Sequence, residues 1–179
     1  MAPLARWYRL TIVSLVLAGT VGCDQATKQL AISQLRDEPA QTFLGGFLRL
    51  DFAENPGAFL GLGGSLPRPV QFWLLTAGVG LLLLYMLFYL VTSRWLGRLH
   101  AVALALIAGG GVGNWIDRLM NDGRVVDFLN LGIGSLRTGI FNVADVAIML
   151  GGGLLLLAVR RSNSPGAQDG DSGPGGSLA

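Results

Sequence analysis

Asp24, Lys28, Asn114, Asp117, Arg118, Asp127, Asn142 and Asp145 are polar residues at or near the boundaries of long apolar stretches. Carboxylates dominate the set, and their chemistry is bounded by what the sequence lacks. His100 is the one histidine, too few for a Ser-His-Asp triad or a zinc site built on nitrogen ligands. Cys23 is the one cysteine, which excludes an intrachain disulfide and a multi-cysteine metal centre. It also has no basic neighbour in sequence to make it a thiol nucleophile. Lys28 is the one lysine, and Asp24 stands four residues before it. That spacing suits a helical ion pair better than a Ser-Lys dyad. Paired-carboxylate chemistry remains. Two aspartates held close cannot both ionise freely, so one keeps a proton and the pair titrates as a unit. The ionised member can take a proton from water attacking a peptide carbonyl while the protonated member supports the oxyanion. Asp127 and Asp145 are the candidate pair, and the chemistry requires no metal or cofactor. Singly, Asp145 also reads as a helix-capping carboxylate worth about 0.3–1 kcal/mol, and Asp127 as a solvated loop charge. Coincidence with Asn114, Arg118 and Asn142 favours a site.

The elements that must position these residues are membrane spans. The chain has 179 residues, 51% hydrophobic and only 13% charged, against about 25% charged in ordinary soluble domains. Mean hydropathy is +0.54. These values exclude a disordered chain, a nucleic-acid-binding module and a typical cytosolic enzyme. The net charge of +2 comes from basic residues scattered singly. Four spans are predicted, at about 9–24, 70–93, 99–116 and 143–160. Arg9 to Asp24 and Asp145 to Arg160 each enclose 14 uncharged residues, roughly 21 Å of helix at 1.5 Å per residue. That falls short of a hydrocarbon core of about 30 Å, which places Asp24 and Asp145 at or inside the outer edge of the membrane. Intramembrane carboxylates are functional candidates by default. For Asp24, a short helix with a solvated end is an equal alternative.

Arg6 and Arg9, Arg94 and Arg98, and Arg160 and Arg161 flank the spans at junctions free of acids, so the positive-inside rule puts both termini in the cytoplasm. Asp24, Gln25, Lys28, Asn114, Asp117, Arg118, Asp127, Asn142 and Asp145 then converge on the outer boundary. Alternation of apolar and charged residues within 43–54 predicts a strand, and 125–131 a second. Together they form a small β platform on the outer membrane surface. Residues 161–179, rich in Gly, Ser and Pro, are expected to be a disordered cytoplasmic tail. The fold class is therefore a mainly α, four-helix transmembrane bundle with a small periplasmic β platform, one domain over 1–160.

Two motifs mislead. Thr20-Val21-Gly22-Cys23 hints at a lipoprotein cleavage site, but Thr20 stands where Leu is usual and the segment reads as an uncleaved first helix. Gly109, Gly110, Gly111 and Gly113 lie inside a span, with no strand before them and no Lys-Ser/Thr after them, so they are no phosphate loop. They predict close helix packing, as does 151–153.

Five blocks now appear in order: Asp24-Gln25-Ala26-Thr27-Lys28, Asn55-Pro56-Gly57-Ala58, Gly113-Asn114-Trp115-Ile116-Asp117-Arg118, Val126-Asp127-Phe128 and Phe141-Asn142-Val143-Ala144-Asp145. They resemble the blocks of bacterial lipoprotein signal peptidase (signal peptidase II), over about residues 8–160. The resemblance implies an aspartic endopeptidase of the inner membrane that cuts a prolipoprotein just before a diacylglyceryl-modified cysteine. Asp127 and Asp145 would be catalytic. Asn114, Arg118 and Asn142 would orient the dyad and substrate, and Asp24, Lys28 and Asn55 would brace the site, with Gly57 and Asp117 in the supporting set. The second block departs from the family's usual Gly-Ala-Ala-Phe, since Gly57-Ala58 is followed by Phe59-Leu60, and Pro56 stiffens the variable position. A divergent paralogue with altered substrate preference is thus an alternative.

Two other classes compete. A proton-coupled transporter would carry acids at several depths, whereas 70–93 and 99–116 hold no Asp, Glu, Lys or Arg. A scaffold lipidated at Cys23 would show N-terminal processing. The expected partners are a prolipoprotein and membrane lipids, not nucleic acid, and the expected state is a monomer.

Overall fold

A computed structural model describes residues 6–58, 61–93 and 96–162, with side chains to residue 160. Four helices are long and apolar enough to cross a membrane: α1 (Arg6–Leu35), α2 (Arg68–Thr92), α3 (Arg98–Met120) and α4 (Val143–Ser162). The Phe72–Gly78 stretch of α2 is π-helical. Strands β1 (Gln41–Phe43), β2 (Leu48–Asn55), β3 (Val125–Ile133) and β4 (Leu136–Arg137) form one antiparallel sheet in sequential order. It sits at the end of the bundle where α1 and α3 finish and α2 and α4 begin. The predicted bundle with a small sheet is the architecture observed.

Boundaries differ in instructive ways. The first span does not end at Asp24: α1 runs on to Leu35, 30 residues in all, or roughly 45 Å at 1.5 Å per residue. Its C-terminal third packs Ala31 and Leu35 against Phe128 of the sheet. Asp24 is therefore mid-helix and fully buried, which removes the solvated-end reading. α4 extends two residues into the expected tail; the remainder, 163–179, lies outside the described residues, as do Phe59, Leu60 and Arg94. Arg9, one of the flanking arginines, is 2% exposed, and its Nη2 donates to the Val91 carbonyl near the end of α2 at 3.1 Å. A cation there offsets the partial negative charge of a helix C-terminus.

Glycine brings α3 into contact with its neighbours. A Cβ on Gly110 would collide with the Ala144 carbonyl of α4, and one on Gly113 would land on the Asp24 carboxylate of α1. Close backbone approach of this kind drives helix association where lipid removes the hydrophobic incentive. Gly151 does the same, 2.6 Å from the Ala103 carbonyl by the same construction. Gly152 and Gly153 do not. Nothing lies within 4 Å of either added Cβ, so the packing expected of all three holds for one, because a 100° step turns the next two residues off the contact face.

Candidate active site

β3 and the segment leading into α4 are stitched together. Phe128 and Leu129 amides donate to the Phe141 carbonyl at 3.0 and 2.8 Å, and the Phe141 amide returns a bond to the Leu129 carbonyl at 2.8 Å. This brings Asn142, the next residue, beside Asp127 on β3. Asn142 then caps α4 reciprocally with Asp145: its Oδ1 accepts from the Asp145 amide at 2.9 Å, and its amide donates to Asp145 Oδ2 at 3.2 Å. The arrangement is a capping box with Asn and Asp in the two roles. Capping and site membership are thus not rivals for Asp145; the cap fixes its rotamer.

The Asn142 side chain joins the two carboxylates. Its Nδ2 donates to Asp127 Oδ1 at 2.7 Å and to Asn114 Oδ1 at 3.0 Å, while Asn114 Nδ2 donates to Asp145 Oδ1 at 3.0 Å. On the far side, Asn55 Nδ2 donates to Asp127 Oδ2 at 2.9 Å. The β2–β3 register places Asn55 opposite Val125 and shifts between Leu50 and Ala53. Asp127, Asp145, Asn114 and Asn142 are all buried. Burial pushes the Asp127 carboxyl up to about 6, the Asp145 charge adds to the rise, and the bonds from Asn55 and Asn142 oppose it.

A second layer lies beneath. Lys28 Nζ is 2.8 Å from Asp24 Oδ2, 3.0 Å from Asp117 Oδ2 and 2.8 Å from Asn114 Oδ1. The helical Asp24–Lys28 pair expected from spacing is present. Asp24 Oδ1 also accepts from the Ala144 amide at 2.9 Å, and Asp117 Oδ2 from the Val126 amide at 2.9 Å. One carboxylate therefore satisfies a free amide in the first turn of α4, and the other pins β3 to α3. Gln25 is a member that sequence reasoning left without a role: Nε2 reaches Asp24, the Gly113 carbonyl and Asp117 Oδ1 at 3.0–3.3 Å. The signal available was its place in the first block, one residue after Asp24.

Arg118 completes the group. Its Nη1 donates to the Asn114 carbonyl at 3.2 Å and its Nη2 to the Gly57 carbonyl at 2.7 Å, while its buried Nε has no partner among the described residues. Gly57 is obligatory, since a Cβ would sit 2.6 Å from the carbonyls of Gly61 and Leu62. Asn55 braces this turn, accepting from the Gly57 amide and donating to the Ala58 carbonyl at 2.8 and 3.1 Å. Arg118 also lines a cavity of about 470 Å³ with Pro56, Gln71, Phe72 and Arg124. All ten residues singled out from sequence thus meet in one connected network. Among the described residues, no three His, Cys, Asp or Glu side chains are grouped to hold a metal ion.

The profile of the family described as Signal peptidase (SPase) II, Peptidase_A8, matches residues 16–161. The chain belongs to the signal peptidase II family. The lipoprotein signal peptidase of Leifsonia xyli subsp. xyli is 36% identical over 95% of this chain and 77% of its own length. That of Halalkalibacterium halodurans is 35% identical over 84% and 90%. Two solved structures described as bacterial membrane enzymes share the fold. One superposes with a TM-score of 0.75 at 24% identity, covering 89% of this chain and 93% of its own. The other has a TM-score of 0.66 at 25% identity, covering 82% and 91%. This signal peptidase II chain is accordingly a multi-pass membrane hydrolase of lipoprotein processing. Its altered second block falls partly outside the described residues, but Asn55 and Gly57 retain bonds to Asp127 and Arg118.

Proposed function

We propose that this lipoprotein signal peptidase is an aspartic endopeptidase that cleaves the bond before a diacylglyceryl-modified cysteine, with Asp127 and Asp145 as its catalytic dyad. The observation that carries the reading is the Asn142 bridge, whose side-chain amide donates to Asp127 and whose backbone amide donates to Asp145. The ionised carboxylate takes a proton from water as its oxygen bonds to the scissile carbonyl carbon. The protonated carboxyl gives its hydrogen to the carbonyl oxygen, so a neutral tetrahedral diol forms. One carboxyl then gives its proton to the cysteine nitrogen while the other, now ionised, takes a proton from a diol hydroxyl, so the C–N bond breaks, the signal peptide leaves as a carboxylic acid and the dyad again holds one proton.

The supporting residues follow by contact. Asn114 and Asn142 orient the dyad, while Lys28 anchors Asn114, Asp24 anchors the start of α4 and Asp117 anchors Lys28 and β3. Asn55 holds Asp127, and Arg118, which lines the cavity beside the Gly57 turn, orients that turn and the substrate. Depth supports the substrate: a lipid-bearing cysteine sits where a signal-peptide helix meets the headgroups, the level at which α4 begins. We place the protein in the bacterial inner membrane as a monomer surrounded by lipid, with both termini cytoplasmic and the dyad on the periplasmic side.

The test is cleavage of a diacylglyceryl-modified precursor by purified protein in lipid. Asp127→Asn and Asp145→Asn are each expected to abolish turnover while leaving a folded, cooperatively melting protein. Near-normal turnover by either variant overturns the assignment.

A further inference from the structure

The π-helical stretch of α2 bears on the site through one residue that the mechanism above leaves unused. Seven residues, Phe72–Gly78, adopt the wide turn, a geometry that is rare and concentrated at functional sites. The Thr76 carbonyl in this stretch accepts from the Val79 amide and also from the Trp115 indole Nε1, at 2.8 Å. The contact is tightly shaped, because a Cβ on Gly80 would lie 2.9–3.1 Å from Nε1, Cε2 and Cζ2 of the same ring. Trp115 stands between Asn114 and Arg118 on the last turns of α3.

α3 is the helix on which the site turns, and each of its neighbours restrains it differently. Toward α1 the restraint is Gly113 against Asp24 together with the Lys28 bonds; toward α4 it is Gly110 against Ala144. Toward α2, the side-chain hydrogen bond observed among the described residues is Trp115 to Thr76. Asn114 and Arg118 project several ångströms from the α3 axis. A rotation of about 10° therefore moves their polar atoms on the order of 1 Å, enough to cost up to about a hundredfold in rate.

We propose that Trp115 is a positioning residue for the peptidase reaction: its indole hydrogen bond to the π-helical Thr76 carbonyl sets the rotation of α3, and so the aim of Asn114 and Arg118. This inference rests on the dyad reading, and it adds a residue whose ring touches neither carboxylate in the contacts observed. The π turn supplies the acceptor, and Gly80 supplies the space that lets the ring reach it.

Two substitutions separate the hydrogen bond from the packing. Trp115→Phe keeps a ring and loses the donor. Trp115→Gln loses the ring but carries an N–H at the same number of bonds from Cα. With a diacylglyceryl-modified precursor, Trp115→Phe is expected to lower kcat about five- to fiftyfold, with KM within twofold of the parent and an unchanged melting temperature. Trp115→Gln is expected to retain more of the kcat than Trp115→Phe. Gly80→Ala, which leaves α3 untouched but pushes the indole off its acceptor, is expected to reproduce the Trp115→Phe deficit. If Trp115→Phe turns over at the parental rate, or if Trp115→Gln is the more impaired of the two, the proposal is overturned. Parallel measurement of Asp127→Asn keeps the two ideas apart. An active Asp127→Asn variant defeats the dyad reading, whereas an inactive one beside a fully active Trp115→Phe defeats the Trp115 role alone.

Discussion

Asp127 is held neutral more readily than an ordinary aspartate because it has left water, and its neighbours decide by how much. Its carboxyl sits near 6 in the folded protein against 3.8 when free, so folding favours the protonated form. The sign follows from linkage. The stabilising contribution is full below 3.8 and is lost as pH rises through about 6, because above that the fold holds a charge it disfavours. Stability measured between pH 4 and 7 should therefore fall less steeply in Asp127→Asn than in the parent, whatever the offset between the two curves. Asn55→Ala removes a bond that favours the ionised form. It is expected to move the Asp127 titration to higher pH, seen as an upward shift in the pH at which that loss of stability occurs. An unchanged midpoint would show that Asn55 does not tune the carboxyl. Lys28 presents the opposite case. It is a buried cation between two carboxylates, and Lys28→Ala would leave both without compensation. Removing one partner of a buried ion pair costs about 3–5 kcal/mol, so a melting experiment in detergent should show a large drop. Sequence made the Asp24–Lys28 pair legible through its four-residue spacing. Asp117 and Asn114 as further Lys28 partners depend on α3 lying beside α1, which no local pattern states.

At the scale of elements, α3 is positioned by what it lacks. Gly110 and Gly113 leave room for the Ala144 carbonyl and the Asp24 carboxylate, and filling that room displaces backbone or a buried charge. Gly110→Ala is expected to lower stability by about 1–3 kcal/mol, the usual cost of overpacking. Gly152→Ala, where the added methyl meets nothing within 4 Å, is expected to be neutral or stabilising by up to about 1 kcal/mol. Thermal melts of the two variants side by side test the contrast, and a Gly110→Ala protein as stable as the parent would contradict the packing argument. Both glycines sit in runs that look alike in sequence. Only the neighbouring helix distinguishes them, because a small residue is required where a backbone approaches and is incidental where lipid does. The π turn of α2 belongs here too: the apolar stretch 70–93 announced a span, yet nothing in its composition marks a local change of helical period.

For the whole molecule, the governing relation is between helix length and membrane thickness. α1 is longer than a bilayer core of about 30 Å requires, and its C-terminal excess packs against the sheet that carries Asp127. The orientation implied by the arginine flanks can be checked in intact cells in a Cys23→Ala background. Asp37→Cys, exposed beyond the end of α1, is expected to react with a membrane-impermeant maleimide. Arg98→Cys, exposed at the start of α3, is expected to react only after permeabilisation, and the reverse pattern would invert the topology. The number of spans, their boundaries to within a few residues except at the end of α1, and the two longer strands were readable because each is a local property, whereas the short edge strands β1 and β4 were not. Apolar length, alternation, charge placement and short motifs are written along the chain. The convergence was not: Asp127 and Asp145 are 18 positions apart and meet only because β3 pairs with Phe141, which delivers Asn142 between them. Long-range hydrogen bonds and close helix contacts depend on three-dimensional register, so beyond the helical Asp24–Lys28 pair tertiary structure alone decided which buried charges found partners, which glycines mattered and where the acids would stand.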